Sequence, residues 1–344
     1  MHHYCTYFDH RYLPRGLALY RSLRQHERAF HLHVLCLDDQ AHATLAALRL
    51  PHLTPVRLAE LEHADLESAA TRRTRSLVEY YFTCTAAFTR HVLRAHSGID
   101  VISYVDADLY FFADPRPVFD ELADGSVLII PHRYPEALRH YESHGIHNVG
   151  LVSFRNDARG LAVLDDWRER CIQWCYERVE PGRYADQKYL DAWPDRFDGV
   201  VVSQLPGANL APWNLPRHEV HSHRGHVLVD GQPLIFYHFH RLKVVRPYLF
   251  DPGVEHYGAS LTPTIANRIY APYLRTLRRC MGQATAPATG NLRLTGPPNG
   301  RELMRLLIYN RTMLCVGPMT TAVHLEPLAR PLLQLRHWWQ RDAA

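Results

Sequence analysis

Short apolar runs alternate along this chain with segments whose apolar residues recur at helical spacing. The apolar runs cover residues 4–8, 30–37, 101–105, 126–132 and 147–154. The helical patterns cover residues 13–26, 41–50, 76–96 and 161–179. Strands and helices that alternate in this way are typical of a doubly wound α/β sheet with helices on both faces. The pattern therefore predicts an α/β fold and disfavours all-helical and all-strand folds.

Length and charge narrow the class of protein further. A chain of 344 residues is long enough for one large domain, or for one domain with an appendage. Its 47% hydrophobic and 22% charged residues are ordinary for a globular protein. The formal net charge of +4 is too small for a dedicated nucleic-acid binder, so we expect no nucleic-acid partner.

Histidine and cysteine are common here but carry little information by themselves. With 24 histidines in the chain, a single histidine is a poor indicator of a metal site. The seven cysteines include no C-x-x-C pair, and Cys171 and Cys175 lie four apart on a predicted helix, a weak zinc pattern. No signal-peptide pattern is recognised at the start, and no apolar run reaches the ~18 residues of a membrane helix. We therefore expect reduced thiols and a cytoplasmic location.

The later part of the chain is less regular. An Asp-Gly pair within residues 227–240 predicts a tight hairpin, and a further helix is predicted over 264–280. Residues near 282–300 are rich in Gly, Pro, Ala and Thr and read as an exposed loop. Residues 300–340 mix Leu, Ile, Trp and Arg. Two interpretations of this tail stay open: peripheral contact with an anionic inner membrane, or packing back onto the rest of the protein.

Two aspartates follow the apolar run at 101–105, in the stretch "YVDADLYFF". In extended backbone Asp106 and Asp108 would point to one face, about 7 Å apart, and could hold a hard cation. However, 20 aspartates in 344 residues give about 1.2 such D-x-D triplets by chance. The triplet therefore indicates a cation site only if other residues of the chain support it.

Such support comes from a set of polar residues at the predicted carboxyl ends of strands, where open α/β sheets bind ligands. Besides the two aspartates, the set comprises Thr6, Asp9 and Tyr12 in "TYFDHRY", His147, Asn148 and Gly150 in "HNVG", and His238, His240 and Lys243 in "YHFHRLK". Two carboxylates and an imidazole from separate strand ends could form a cation site. Mixed oxygen and nitrogen ligands suit Mn²⁺ or Mg²⁺.

The order of these blocks resembles that of the GT-A fold glycosyltransferases that use nucleotide-diphosphate sugars, closest to the retaining family eight. The blocks are "TYFDHRYLPRGLALYRSL", "YVDADLYFF", "HNVGLVSF", "ADQKYL" and "YHFHRLK", and together they span roughly residues 1–250. Each block is weak alone, but five in this order are a strong signal. The resemblance implies a Rossmann-like, mixed and mostly parallel sheet flanked by helices in a catalytic domain over 1–250. Residues 251–344 would then form a helical C-terminal extension.

The resemblance assigns roles at the donor and metal end of the site. Thr6, Asp9 and Tyr12 match the strand and loop that hold the nucleobase, with the tyrosine ring stacked on it. Asp106 and Asp108 match the ligands of the metal and of the ribose.

It also assigns roles near the sugar and the phosphates. Asn148 matches the asparagine of an N-x-G block beside the donor sugar, and Asp186 and Gln187 match an Asp-Gln pair near the anomeric carbon. His238 matches the third metal ligand, and Lys243 resembles a lysine that contacts the pyrophosphate.

Three features depart from the pattern or fit it loosely. In the family's last block a glycine stands where this chain has Arg241, and a Pro-Trp pair follows that this chain does not have. Either His238 or His240 could therefore hold the metal. "GANLAPWNL", residues 207–215, resembles a Trp-Asn region before that block. Arg75 lies where the family has a basic residue near the sugar, and a solvated helix start explains it nearly as well.

The function that the resemblance implies is metal-dependent glycosyl transfer, with retention of anomeric configuration. The donor would be a nucleotide-diphosphate sugar, with a leaning to UDP, and the acceptor a glycan, a lipid-linked sugar or a protein. Bacterial cell-envelope polysaccharide synthesis would be its setting. Two other classes stay open: a sugar-nucleotide-binding protein without turnover, and a D-x-D phosphohydrolase, whose carboxylate pair normally ends the first strand.

Overall fold

The computed structural model describes residues 1–246, 248–285, 314–315 and 323–324. From residue 286 on, the predicted Gly- and Pro-rich loop lies outside the described residues. The tail considered for membrane contact lies outside them too, apart from its two described dipeptides. Within the described part, no helix is long and apolar enough to cross a membrane.

A seven-stranded sheet forms the centre of the fold. Its strands, in spatial order, are β3 (Leu53–Arg57), β2 (Phe30–Cys36), β1 (His2–Phe8), β4 (Val101–Val105), β7 (His147–Arg155), β6 (Val127–Pro131) and β8 (Val200–Val202). Strand β7 runs antiparallel to β4 and β6, whereas the other neighbours in this sheet pair in parallel. The predicted α/β class, with a mixed and mostly parallel sheet, is confirmed.

Helices cover both faces of this sheet. They are α1 (Leu13–His26), α2 (Asp39–Leu48), α3 (Leu58–Ala64), α4 (Leu66–Ala70), α5 (Leu77–Ala95), α6 (Arg116–Asp120), α7 (Ala158–Gln173), α8 (Trp193–Arg196) and α9 (Ala271–Thr285). Helices α1 and α9 pack together on one face, and α5 and α7 on the other. Ser76 caps α5 in a reciprocal pair with Glu79, which fixes where this long helix begins.

Smaller sheets extend the centre. Strand β5 (Leu109–Phe111) pairs with β12 (Phe236–His238), and β9 (Val220–His223), β10 (His226–Val229) and β11 (Gln232–Pro233) form a meander. The remaining strands are β13 (Lys243–Arg246), β14 (Leu249–Asp251), β15 (Leu314–Cys315) and β16 (Val323–His324). Asp230 and Gly231 turn between β10 and β11 with φ of 49° and 82°, which confirms the predicted tight hairpin.

The strand order explains where a ligand site can form. Strand β1 lies between β2 and β4, so the direction of winding reverses between β1 and β4 and opens a crevice at their carboxyl ends. Asp9 follows β1 and Asp106 follows β4 at this crevice. Strand β12 brings His238 to the same place, because His238 pairs with Leu109 beside Asp108.

The described part of the C-terminal region packs closely on the N-terminal part. Tyr273 and Leu274 of α9 belong to the same buried hydrophobic cluster as Leu17 and Leu19 of α1. The division into a catalytic domain over 1–250 and an extension over 251–344 stays a prediction.

Candidate active site

The D-x-D triplet forms a turn and not the end of an extended strand. Strand β4 ends at Val105, and the Leu109 amide donates a hydrogen bond to the Asp106 carbonyl at 3.1 Å. The period-two argument for a shared face was therefore wrong about the local backbone. The two carboxylates converge because the chain reverses between β4 and β5.

His238 completes a compact group with the two aspartates, which we call the Asp–Asp–His group. One ligand atom from each of Asp106, Asp108 and His238 lies within 4.8 Å of the others. His238 Nε2 is 3.1 Å from Asp108 Oδ1 and 3.7 Å from Asp106 Oδ2. The group offers two oxygen ligands and one nitrogen ligand, which is a donor set that Mn²⁺ or Mg²⁺ accepts.

Electrostatics distinguish the members of this group. Burial raises the pKa of Asp106, with Asp108 adding to the shift. Burial would also raise the pKa of Asp108, but the His238 ring beside it lowers that pKa to about 2. The same two carboxylates raise the pKa of His238 against the effect of its burial. Two carboxylates and one imidazole in so small a space favour a bound cation.

His240 lies next to the group but outside it. Its ring centroid is 5.8 Å from that of His238, and both rings lie roughly perpendicular to the Trp213 ring, with centroids 5.1 and 5.4 Å from it. Burial, followed by the neighbouring His238, lowers the pKa of His240 to about 4. The geometry favours His238 over His240 as the metal ligand, although both line the same cleft.

The cleft has a volume of about 610 Å³ and contains most of the residues that the sequence singled out. Those that line it are Asp9, Tyr12, Asp106, Asp108, Asn148, Asp186, Gln187, His238 and His240. Asp9 Oδ1 accepts hydrogen bonds from the amides of Arg11 and Tyr12, which start α1 at the rim. Tyr12 is 44% exposed, so a flat ligand can reach its ring.

Asp186 is a buried acid in the wall of the cleft. Burial raises its pKa to about 7, against the effect of a hydrogen bond with Thr85. Its backbone carbonyl accepts a hydrogen bond from Trp167 Nε1 at 2.8 Å, which anchors this segment to α7. A carboxyl group with such a pKa can exist in both protonation states near neutral pH.

Gln187 is held by three hydrogen bonds. Its Oε1 accepts from Asn148 Nδ2 at 3.1 Å and from the Val149 amide at 3.3 Å. Its Nε2 donates to the His144 carbonyl at 3.1 Å. The amide is therefore fixed in one orientation, next to Asp186 in the cleft wall.

Three other predicted donor residues are not among the described residues that line the cleft. Thr6 is fully buried within β1, and Lys243 lies exposed at the start of β13. Arg75 donates to Thr83 Oγ1 and to the Ile172 carbonyl, and so ties α5 to the end of α7. Their roles in donor binding stay predictions.

Arg241 stands where the family resemblance calls for glycine, and its backbone keeps a conformation that glycine favours. Its φ is 60°, in the left-handed region that side chains other than Asn and Asp rarely adopt. The chain therefore retains the turn after β12, and Arg241 itself lines the cleft.

Sequence reasoning missed two residues that support the site, Tyr104 and His132. Tyr104 donates a hydrogen bond to Asp106 Oδ1 at 2.7 Å. His132 lies at the carboxyl end of β6, where Trp213 Nε1 and Asn214 Nδ2 both donate to its carbonyl. The strand-end rule that selected the other residues would have found His132, and the "GANLAPWNL" segment acquires a role as its anchor.

Two curated proteins of Bacillus subtilis (strain 168) share extensive sequence with this chain. "Uncharacterized protein YfnD" is 34% identical over 280 residues, which cover 80% of this chain and 89% of YfnD. "Uncharacterized protein YfnF" is 34% identical over 250 residues, which cover 70% of this chain and 82% of YfnF. The chain belongs to the family of YfnD and YfnF. No family model matches the chain.

Among solved structures, similarity is weaker. The galactosyltransferase LgtC, solved in complex with donor and acceptor sugar analogs, is 16% identical and aligns with a TM-score of 0.46. The alignment covers 86% of this chain and 98% of LgtC.

Proposed function

We propose that this protein transfers a sugar from a nucleotide-diphosphate donor to an acceptor with the help of a divalent cation. The observation that carries this proposal is the convergence of Asp106, Asp108 and His238 within 4.8 Å in a cleft at the switch point of the sheet. Nucleotides bind at such switch points, and a diphosphate needs a cation to offset its charge.

The residues that line the cleft suit the parts of such a donor. Asp9 and Tyr12 are suited to a nucleobase, by hydrogen bonding and by stacking. Asp186 and Gln187 are suited to the sugar. The Asp–Asp–His group lies in the same cleft, where the diphosphate of such a donor would lie. The family resemblance favours a UDP-linked sugar.

The reaction breaks the bond between the anomeric carbon and the β-phosphate oxygen, and the electron pair goes to the phosphate. The acceptor oxygen forms the new bond, and its proton passes to the leaving phosphate oxygen, which has gained the electron pair. When bound, the divalent cation would supply positive charge for the leaving diphosphate. Asp186, in its ionised form, stabilises positive charge that develops at the anomeric carbon.

We further propose retention of configuration. The sequence presents no obvious strong base for an inverting attack, and Asp186 with Gln187 matches the Asp-Gln pair of the retaining family that the chain resembles. An α-linked donor should then give an α-linked product. The anomeric coupling constant of the product, measured by NMR, checks this, and a β-linked product from an α-donor would contradict it.

The decisive experiment incubates the protein with a panel of nucleotide sugars and Mn²⁺, without acceptor, and measures slow donor hydrolysis. We expect hydrolysis of one donor that stops when EDTA removes the metal. Binding of a donor without any hydrolysis would favour the sugar-nucleotide-binding alternative. Cleavage of simple phosphate esters instead would favour a phosphohydrolase. A thermal-shift screen identifies the donor first, because a ligand at 100 times its Kd adds about 2.7 kcal/mol to stability.

The acceptor and the location rest on sequence alone. We propose a glycan, lipid-linked or protein acceptor in bacterial cell-envelope synthesis, and a cytoplasmic protein. Residues 300–340 either pack back onto the rest of the protein, which the three prolines in this segment favour, or contact the inner membrane peripherally. Liposome flotation tests the membrane contact. With such contact, the full-length protein should float with anionic vesicles at low salt and be released at high salt, and failure to float would contradict it.

A further inference from the structure

Asn148 lies at the centre of a hydrogen-bond network behind the Asp–Asp–His group. Its Oδ1 accepts a hydrogen bond from the Gly150 amide at 3.0 Å. A backbone N–H can only donate, so this contact fixes which way the Asn148 amide faces. The oxygen of Asn148 must point to Gly150, and its nitrogen must point the other way.

The second contact of Asn148 Oδ1 determines how His238 presents its ring. His238 Nδ1 lies 3.3 Å from Asn148 Oδ1. An amide oxygen can only accept, so Nδ1 of His238 carries the hydrogen. Nε2 is then the nitrogen that faces Asp106 and Asp108, and it is the atom through which the ring would bind a cation.

The nitrogen of Asn148 is also fully used. It donates to Gln187 Oε1 at 3.1 Å and to His132 Nε2 at 3.2 Å. His132 can accept because its Nδ1 donates to the Ile146 carbonyl at 3.2 Å. All four hydrogen-bonding positions of the Asn148 side chain are thus occupied by protein atoms, and none is left for a sugar hydroxyl.

We propose that Asn148 is a positioning residue and not a donor-sugar ligand. Through Oδ1 it orients His238 toward the metal, and through Nδ2 it orients Gln187 toward the reacting sugar. The proposal rests on the proposed function, because it assumes that the Asp–Asp–His group holds a divalent cation. It departs from the family resemblance, which places this asparagine beside the donor sugar.

Gly150 explains the spacing of the N-x-G block. A Cβ atom at position 150 would lie 2.4 Å from Asn148 Oδ1 and 2.8 Å from His238 Nδ1. Any larger residue would push these two side chains apart. Gly150 therefore leaves room for the contact between Asn148 and His238, and its amide sets the direction of that contact.

The first test measures Mn²⁺ binding by titration calorimetry, without donor. Asn148→Ala and Gly150→Ala remove no metal ligand, yet we expect each to weaken Mn²⁺ binding about 10- to 100-fold, as loss of a residue that orients a metal ligand typically does. Asn156→Ala and Gly98→Ala are matched controls and should bind as the wild type does. Asn156 contacts the Ile99 carbonyl at the far end of β7, and a Cβ at Gly98 meets nothing within 4 Å.

The second test separates the two halves of the Asn148 side chain. In Asn148→Asp, carboxylate oxygens can still accept from Gly150 and His238, but nothing donates to Gln187 or His132. We expect Mn²⁺ affinity to be restored to at least the wild-type value, while Mn²⁺-saturated donor hydrolysis falls more than about 10-fold in kcat with little change in KM. Circular dichroism and thermal unfolding confirm that each variant is folded.

Two outcomes overturn the proposal. One is wild-type Mn²⁺ affinity in both folded Asn148→Ala and Gly150→Ala, while His238→Ala loses binding. The other is a rise in donor KM, with unchanged Mn²⁺ affinity, as the main effect of Asn148→Ala, which would mark a sugar contact. Failure of the proposed function would look different, because the wild type itself would then neither bind Mn²⁺ nor hydrolyse a donor.

Discussion

The two ends of the central sheet both gather histidines, but with different neighbours. At the carboxyl end, His238 faces the carboxylates of Asp106 and Asp108. At the amino end, His3, His31, His33 and His96 face one another, and we call them the amino-end histidine cluster. His3 Nδ1 lies 3.3 Å from His33 Nε2, and the His33 ring centroid is 4.6 Å from His31 and 4.9 Å from His96.

The difference in neighbours gives opposite electrostatics. At the carboxyl end, the two carboxylates raise the pKa of His238 despite its burial. At the amino end, burial and then the neighbouring histidines lower the pKa of His33 to about 3, and that of His3 to about 4. One environment favours positive charge and so attracts a cation in place of a proton, whereas the other keeps its imidazoles neutral.

The comparison teaches that the partners of a histidine, and not its type or abundance, decide what it does. The chain has 24 histidines, and nothing in the spacing of His3, His31 and His33 distinguishes them from His238 and His240. Their positions at strand ends, and finally the fold, show which of them meets the two carboxylates. The proposed function therefore needs the carboxyl end, and the amino end should matter for stability in acid.

The largest expected effect is at the carboxyl end. Asp108→Ala and His238→Ala should each lower metal-dependent donor turnover more than about 100-fold, because each removes a ligand of the cation that offsets the leaving-group charge. Turnover assays and Mn²⁺ titration check this, with exposed His96→Ala of the amino-end cluster as the control. Undiminished turnover in a folded Asp108→Ala variant would exclude the site. If His240→Ala lowers turnover and His238→Ala does not, the metal ligand is His240 and not His238.

The second prediction concerns Asp186, whose native pKa of about 7 lies above the 3.8 of an unfolded aspartate. Between these values the folded protein binds more protons than the unfolded chain, so the free energy of unfolding falls as pH rises from about 4 to 7. From pH 5 to 7.5 this costs up to about 3 kcal/mol. Asp186→Asn should abolish that loss, as measured by urea unfolding at both pH values.

A matched change at an exposed position is the control for Asp186. Asp198→Asn should leave the pH dependence of the unfolding free energy as it is in the wild type. Should Asp186→Asn and the wild type show the same dependence, Asp186 would not be held as a buried acid, and its proposed part in charge stabilisation would lose its basis.

Much of the local structure could be predicted from the sequence. Helix α1 spans Leu13–His26, as its apolar spacing and the early Pro14 predict. Local patterns cannot fix pairing direction, so the antiparallel course of β7 was not predictable from its own residues. The D-x-D turn is a related case, because its conformation depends on β5 pairing with the distant β12.

The candidate site was predictable as a set of residues but not as a network. The strand-end rule finds Asp9, Asp106, Asn148 and His238 because parallel strands place their carboxyl ends together. It cannot show that protein atoms occupy all the hydrogen-bonding positions of Asn148, because Asn148, Gln187 and His238 come into contact only in the folded chain. It also cannot show which cationic residues the scaffold has already used.

The third prediction tests the amino end. His33 is buried, and its folded pKa of about 3 lies below its unfolded value of 6.5. The unfolded chain therefore binds more protons below pH 6.5, and stability falls as pH drops toward 3. His33→Leu should remove about 2 kcal/mol of the difference in unfolding free energy between pH 7.5 and pH 5. Donor turnover at pH 7.5 should not change.

The pH dependence that His33 contributes is opposite in sign to that of Asp186. His33→Leu and Asp186→Asn should therefore change the pH dependence of the unfolding free energy in opposite directions, and equal changes would contradict the comparison of the two ends. Urea unfolding of His33→Leu at pH 5 and 7.5 provides the measurement, with His63→Ala, an exposed histidine outside the cluster, as the control. A wild-type pH dependence in His33→Leu would mean that the cluster opens to water and that its burial has no energetic consequence.

The smallest expected effect concerns Arg75, which lies near the carboxyl end but is bound to the scaffold. Its guanidinium donates to Thr83 Oγ1 and to the Ile172 carbonyl, and its centre lies 5.5 Å from the Tyr176 ring. Arg75→Ala should therefore lower the free energy of unfolding by about 1–2 kcal/mol, the usual cost of losing such contacts. The donor KM should change less than about twofold, because a residue engaged on both sides by α5 and α7 is not available to a sugar.

Lysine cannot reproduce the paired contacts, so Arg75→Lys should lose most of the same stability. If Arg75→Ala raises the donor KM strongly with little loss of stability, Arg75 binds the donor in spite of its contacts with α5 and α7. The carboxyl end of the sheet would then use charged residues for donor binding that also contact the scaffold.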